Sequence, residues 1–189
     1  MRKHIPNILT MLRFILVPFF IYAAFVSDSE SAAMLSLIIF MLAAFTDYLD
    51  GTLARKWDVI SDFGKIMDPL ADKLLVLSAL SAISFQQPFK LGWIVFFIIL
   101  IREVGITLLR EIYHKKGIVV PAGNLGKVKT FMQMVGLIFA LGVNAFIAEI
   151  SQGLIIGVRI WFWLVVVITL VSGFGYIRVL ILPGGKSES

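Results

Sequence analysis

Asp47-Tyr48-Leu49-Asp50-Gly51-Thr52-Leu53-Ala54-Arg55, then eight residues, then Gly64-Lys65-Ile66-Met67-Asp68-Pro69-Leu70-Ala71-Asp72: this stretch sets four carboxylates, two glycines, an alanine and an arginine at fixed offsets inside an otherwise apolar chain. Eight named residues at preset offsets coincide by chance on the order of 10⁻¹⁰ per starting position. A carboxylate at membrane depth is costly, so it marks a functional site by default. Asp47 and Asp50 are three apart and Asp68 and Asp72 four apart, which puts each pair on one helix face. Two such helices facing one another present four carboxylates to one cavity. Four ionised carboxylates near lipid need compensating charge, and hard oxygen donors suit Mg²⁺, Mn²⁺ or Ca²⁺. Two cations about 3.5–4 Å apart would clamp a phosphate for in-line displacement.

The surrounding chain fixes the class. Of 189 residues, 59% are hydrophobic, against about 45–50% in an average soluble domain, and the mean hydropathy is +0.96. These values predict an all-α integral membrane protein built as one bundle. With no cysteines, disulfides, thiolate metal sites and a cysteine nucleophile are excluded. The two histidines, His4 and His114, fall near terminal or loop regions, which argues against a histidine-rich metal site or a Ser-His-Asp triad. The basic start Met1-Arg2-Lys3-His4 with Ala23-Ala24 suggests a signal peptide. The apolar run that follows exceeds an h-region of about 7–15 residues, so it is read as a retained transmembrane helix.

Spans of about 20 apolar residues are predicted at 8–27, 32–53, 66–86, 91–112, 125–148 and 154–181. Residues 1–182 form one transmembrane domain, with a short disordered tail at 183–189. One side collects Arg2, Lys3, Arg55, Lys56, Lys65, Arg110, Lys115, Lys116, Lys127, Lys129, Arg178 and Lys186; the other has Lys90, Arg159, Asp28, Glu30 and Glu149. Under the positive-inside rule both termini and the aspartate cluster face the cytoplasm. Asp58 and Asp62 read as loop or cap residues, and Pro69 as a kink beside a polar cavity.

The spacing D-x₂-D-G-x₂-A-R-x₈-G-x₃-D-x₃-D resembles the signature of the CDP-alcohol phosphotransferase family at every position. The resemblance implies a six-helix membrane fold, a homodimer, and a cytoplasm-facing site holding two divalent cations, Mg²⁺ or Mn²⁺. It implies Asp47, Asp50, Asp68 and Asp72 as metal ligands. Asp47, Asp50, Gly51, Ala54, Arg55, Gly64 and Asp68 would contact the CDP moiety. Asp72 would serve as base, ligand or both.

Further segments are similar to the bacterial phosphatidylglycerophosphate synthase subgroup of that family: Ile5-Pro6-Asn7-Ile8-Leu9-Thr10-Met11-Leu12-Arg13, Arg102-Glu103 with Thr107 and Arg110, and Ala122 through Thr130. This implies CDP-diacylglycerol and sn-glycerol 3-phosphate as substrates, among membrane lipids and without nucleic acid. Arg110, Lys127 and Lys129 then form a cationic pocket for the acceptor phosphate, with arginine giving bidentate contacts. Lysines here also serve topology, the role assigned to Lys115 and Lys116. Arg102 and Glu103 are expected to pair and shape the pocket. Asn7, Thr10 and Arg13 share a face that can line the substrate entrance or anchor the first helix.

Two alternatives stay open at the level of sequence. A sister enzyme would use another acceptor, as a cardiolipin, phosphatidylserine or phosphatidylinositol-phosphate synthase does. A divalent-cation transporter would also carry membrane carboxylates, but such sites lie near mid-membrane within repeats. Here the cluster lies towards one face and has no second copy.

Overall fold

The computed structural model describes residues 5–26, 30–57, 62–115 and 124–181; the side chains of 5, 6, 30, 48, 50, 51, 53–57, 62, 63, 65, 66, 114, 115, 124 and 175–181 lie outside the description. Among the described residues there are six helices and no strands: α1 Ile5–Phe25, α2 Glu30–Trp57, α3 Asp62–Phe85, α4 Trp93–Lys115, α5 Asn124–Phe146 and α6 Gln152–Ile181. The all-α class is as expected. The tail at 183–189 lies outside the described residues.

Three helices are long and apolar enough to cross a membrane: Asn7–Phe25, Leu125–Phe146 and Gln152–Phe174. In α2 the apolar part is the shorter Ser31–Asp47. The reason is visible in the sequence: α2 and α3 carry the aspartate motif, and α4 carries Arg102, Glu103, Arg110 and Glu111. Charge inside a helix lowers its apparent hydropathy without lowering its helicity. Pro18 in α1 and Pro69 in α3 both lie within continuous helix. Each removes one backbone donor, a loss that buried helices absorb where neighbours or a cavity satisfy the freed carbonyl.

The core runs along the bundle axis and includes Phe20, Phe40, Ala43, Leu75, Ala79, Leu80, Val95, Ile99, Leu137, Ala140, Phe162 and Val165, all buried. Alanines at these positions let helix backbones approach closely. The outside is the reverse of a soluble surface. Ile8, Phe19, Leu42, Leu74, Ile101, Phe131, Phe139 and Trp163 are all exposed, and every helix contributes such residues. Apolar exterior on this scale fits contact with lipid.

At one end α3 and α4 are joined by a tight turn. Gly92, at φ +93°, adopts the left-handed conformation that glycine accommodates. The Leu91 and Gly92 amides donate to the carbonyls of Ile83 and Ser84 at 3.3 and 3.1 Å, closing the end of α3. Arg159 Nε of α6 donates to the Phe89 carbonyl at 2.7 Å. Lys90 and Arg159, assigned to the same side on charge grounds, therefore do lie at one end of the bundle. Midway along α5, a Cβ on Gly136 would come within 2.6 Å of Trp161 Nε1 and 3.1 Å of Phe162 Cζ. Only a residue without a side chain admits α6 this closely. Trp161 Nε1 donates to the Met132 carbonyl at 3.0 Å, fixing the indole in that groove.

Helix α1 packs on α2 and α3, α5 on α2 and α6, and α4 on α6 and α3. That arrangement brings both halves of the aspartate motif against α1. It also leaves a cavity between α4 and α5, with the motif beside it.

Candidate functional site

The motif carboxylates are built onto α1. Arg13 Nη1 meets Asp47 Oδ1 at 2.8 Å, with the arginine side chain fully buried and the aspartate 42% exposed. The Thr10 hydroxyl donates to Asp68 Oδ1, and Thr10 is also fully buried. Thr10 and Arg13 are three apart, so one face of α1 serves one carboxylate on α2 and one on α3. Asn7, on the same face, is half-buried. The sequence grouped Asn7, Thr10 and Arg13 together; the structure sets the last two against motif aspartates.

Asp47 lies within Coulombic reach of Asp68 and of Asp72. Of the four carboxylates expected to face one cavity, Asp47 and Asp72 line it, Asp68 is near Asp47, and the side chain of Asp50 lies outside the described residues. Gly64 is buried near the start of α3. The side chains of Asp50, Gly51, Ala54 and Arg55 lie outside the described residues. The donor set consists of carboxylate oxygens, which fits a hard divalent cation. Among the described residues, no group of three or more His, Cys, Asp or Glu stands ready to hold a metal. Two of the three described carboxylates are engaged by Arg13 and Thr10.

Beside the motif opens a cavity of about 610 Å³. Asp47, Asp72 and Lys73 line it from α2 and α3; Arg102, Glu103, Ile106, Thr107 and Arg110 from α4; Gly126, Lys127, Lys129, Thr130 and Gln133 from α5. All three residues predicted for the acceptor phosphate are present, and they share the cavity with Asp47 and Asp72. Their states differ. Lys127 is exposed and Arg110 half-buried. Lys129 is 1% exposed and forms an ion pair with Glu103 Oε1.

Glu103 also meets Arg102 Nη1, at a longer 3.4 Å. Arg102 Nη2 in turn donates to Ser172 Oγ at 3.0 Å, and Ser172 donates to the Thr169 carbonyl at 3.0 Å. Thr107 closes back on the Glu103 carbonyl at 2.8 Å. The expected Arg102–Glu103 pair is therefore one arm of a network joining α4, α5 and α6. Buried charges held this way are compensated and hydrogen-bonded, the condition under which they persist away from water.

Sequence reasoning missed two polar lining residues and one pairing. Lys73 follows Asp72 directly, and adjacency to the motif could have found it. Gln133 is one helical turn beyond Lys129, and that spacing places both on one face. The Glu103–Lys129 pairing left no local signal, because it depends on how α4 and α5 face one another.

The chain is similar to known proteins over most of its length. Residues 3–174 match the family model of CDP-alcohol phosphatidyltransferases. The chain is similar to a probable phosphatidylglycerophosphate synthase of Mycobacterium tuberculosis, 35% identical over 176 residues, 92% of this chain and 80% of that protein. A CDP-diacylglycerol–glycerol-3-phosphate 3-phosphatidyltransferase of Rickettsia felis is 36% identical over 177 residues, 93% of this chain and 94% of the other. The enzyme of the same name from Mycoplasma genitalium is 36% identical over 183 residues, 86% of this chain and 74% of that one. With the family signature complete and the match running through nearly the whole bundle, the chain belongs to the CDP-alcohol phosphatidyltransferase family.

Proposed function

We propose that the protein transfers the phosphatidyl group of CDP-diacylglycerol to sn-glycerol 3-phosphate, giving phosphatidylglycerol phosphate and CMP. The observation that carries this is one cavity lined both by Asp47 and Asp72, from α2 and α3, and by Arg110, Lys127 and Lys129, from α4 and α5. An acidic wall suits a metal-bound pyrophosphate, and a basic wall suits an acceptor that is itself a phosphate ester. Relatives named for this activity cover most of the chain.

Asp47, Asp50, Asp68 and Asp72 would hold two divalent cations, Mg²⁺ or Mn²⁺. When bound, these supply charge neutralisation at the pyrophosphate. Asp47, Asp50, Gly51, Ala54, Arg55, Gly64 and Asp68 form the CDP subsite. Arg13 and Thr10 fix the directions of Asp47 and Asp68. Arg110 and Lys127 take the acceptor phosphate, and Lys129, braced by Glu103, faces the same space. Asp72 accepts the proton of the acceptor's primary hydroxyl as that oxygen forms its bond to the phosphorus bearing diacylglycerol. The bond from that phosphorus to the CMP oxygen breaks, and CMP leaves with the electron pair. No protein nucleophile is required, so positioning supplies much of the rate.

The chain sits in the cell membrane as a homodimer with six crossings, its termini and site on the cytoplasmic side. Helices of 21 to 30 residues, against about 20 needed to span, support the crossings, and the lysine and arginine bias supports the orientation; the homodimer rests on the family resemblance alone. The acceptor is tested by kinetics. Arg110→Met and Lys127→Met should each raise the KM for glycerol 3-phosphate about tenfold or more, while the KM for CDP-diacylglycerol stays within about twofold. Unchanged acceptor KM, or faster turnover with phosphatidylglycerol, serine or inositol phosphate, would reassign the acceptor.

A further inference from the structure

Gln133 lines the cavity from α5 and is 2% exposed. Its amide nitrogen has no hydrogen-bond partner among the described residues. A buried polar group without a partner is costly, and native structures keep few of them unless a ligand or water completes the set. The neighbours do not supply a reason of their own. One turn earlier on the same face, Lys129 is met by Glu103, and across the cavity Ile106 is buried and apolar.

We propose that Gln133 is a specificity-determining residue whose amide binds the secondary hydroxyl of the acceptor. This rests on glycerol 3-phosphate being that acceptor. An amide offers two donors and an acceptor oxygen, which matches a hydroxyl that both gives and takes a hydrogen bond. It is a poor match for a phosphate dianion, for which Arg110 and Lys127 are available in the same cavity. The terminal torsion of glutamine is broad, so either end of the amide turns to the ligand at little cost. A site built to hydrogen-bond a hydroxyl rejects the analogue lacking it, because its own polar group is then left unmade.

The test compares glycerol 3-phosphate with 3-hydroxypropyl phosphate, which keeps the primary hydroxyl and the phosphate and lacks only the middle hydroxyl. The purified full-length protein in lipid is assayed with CDP-diacylglycerol and Mg²⁺. Wild type should prefer glycerol 3-phosphate by about tenfold or more in kcat/KM. Gln133→Leu and Gln133→Met should bring that ratio close to one, chiefly by lowering the value for glycerol 3-phosphate. Both variants should unfold at or above the wild-type temperature, since they remove an unpartnered amide. A ratio unchanged in the variants, including an equal loss with both esters as a phosphate contact would give, overturns the inference. So does loss of folding in both variants, which would make the amide structural. Wild type that transfers label to neither ester defeats the proposed acceptor itself.

Discussion

Glu103 on α4 and Lys129 on α5 form an ion pair across the cavity, with the lysine 1% exposed. Removing one partner of such a pair strands a buried charge, at a cost of about 3–5 kcal/mol. Glu103→Gln should therefore lower thermal stability more than Glu103→Gln combined with Lys129→Met, although the double variant carries more changes. Unfolding temperatures in one detergent or lipid system for the two single variants and the double variant check this. Additive losses would mean the two residues are not coupled.

Arg13 holds Asp47 in an ion pair at 2.8 Å. Its guanidinium is fully buried, and lysine offers neither the same reach nor the fork. Arg13→Lys is expected to lower kcat about tenfold, and Arg13→Met about a hundredfold, because small displacements of a positioned group are costly. The KM for glycerol 3-phosphate should hardly move in either. A main effect on acceptor KM would place Arg13 in the acceptor subsite instead.

Thr10 orients Asp68 by a hydrogen bond. Thr10→Ser keeps the hydroxyl and should behave as wild type. Thr10→Val removes it and should raise the Mg²⁺ concentration for half-maximal activity by about 10-fold or more, as loss of a ligand's supporting hydrogen bond commonly does. Titration of activity with Mg²⁺ after chelator treatment reads this directly, and equal Mg²⁺ dependence in Thr10→Val and wild type would contradict it.

Gly136 on α5 packs tightly against α6. The side chain it would meet is the ring of Trp161, itself tied to the Met132 carbonyl. Gly136→Ala is expected to cost about 1–3 kcal/mol through overpacking, and Trp161→Phe should relieve part of that loss. Gly136 and Trp161 do not themselves line the cavity, so KM values should stay close to wild type in whatever protein folds.

Much of the fold could be read from the chain. Each of the six apolar segments became a helix, with ends shifted by a few residues. Helix α3 starts at Asp62 rather than 66, and α2 ends at Trp57 rather than 53. Hydropathy sees only the apolar length, whereas backbone hydrogen bonding continues through polar turns such as Asp62 to Lys65. That α2 and α3 would bring aspartates to one cavity was legible for Asp47 and Asp72, because three- and four-residue spacings carry a helix face with them. The partners of those aspartates were not, since Thr10 and Arg13 lie 58 and 34 positions away from Asp68 and Asp47 along the chain. The Arg102–Glu103 pair, expected because charges inside a bundle seek partners, is present. The second partner of Glu103, Lys129, is brought in by tertiary packing alone.

The measurement that bears most directly on catalysis follows labelled glycerol 3-phosphate into lipid, with CDP-diacylglycerol and Mg²⁺, in wild type and in Asp72→Asn. Wild type should incorporate label and release CMP in equal amounts, and Asp72→Asn should lose both by about a hundredfold or more, the scale of a positioned proton acceptor. Full turnover in Asp72→Asn, or CMP release in wild type without label in lipid, would contradict the proposed site and its acceptor.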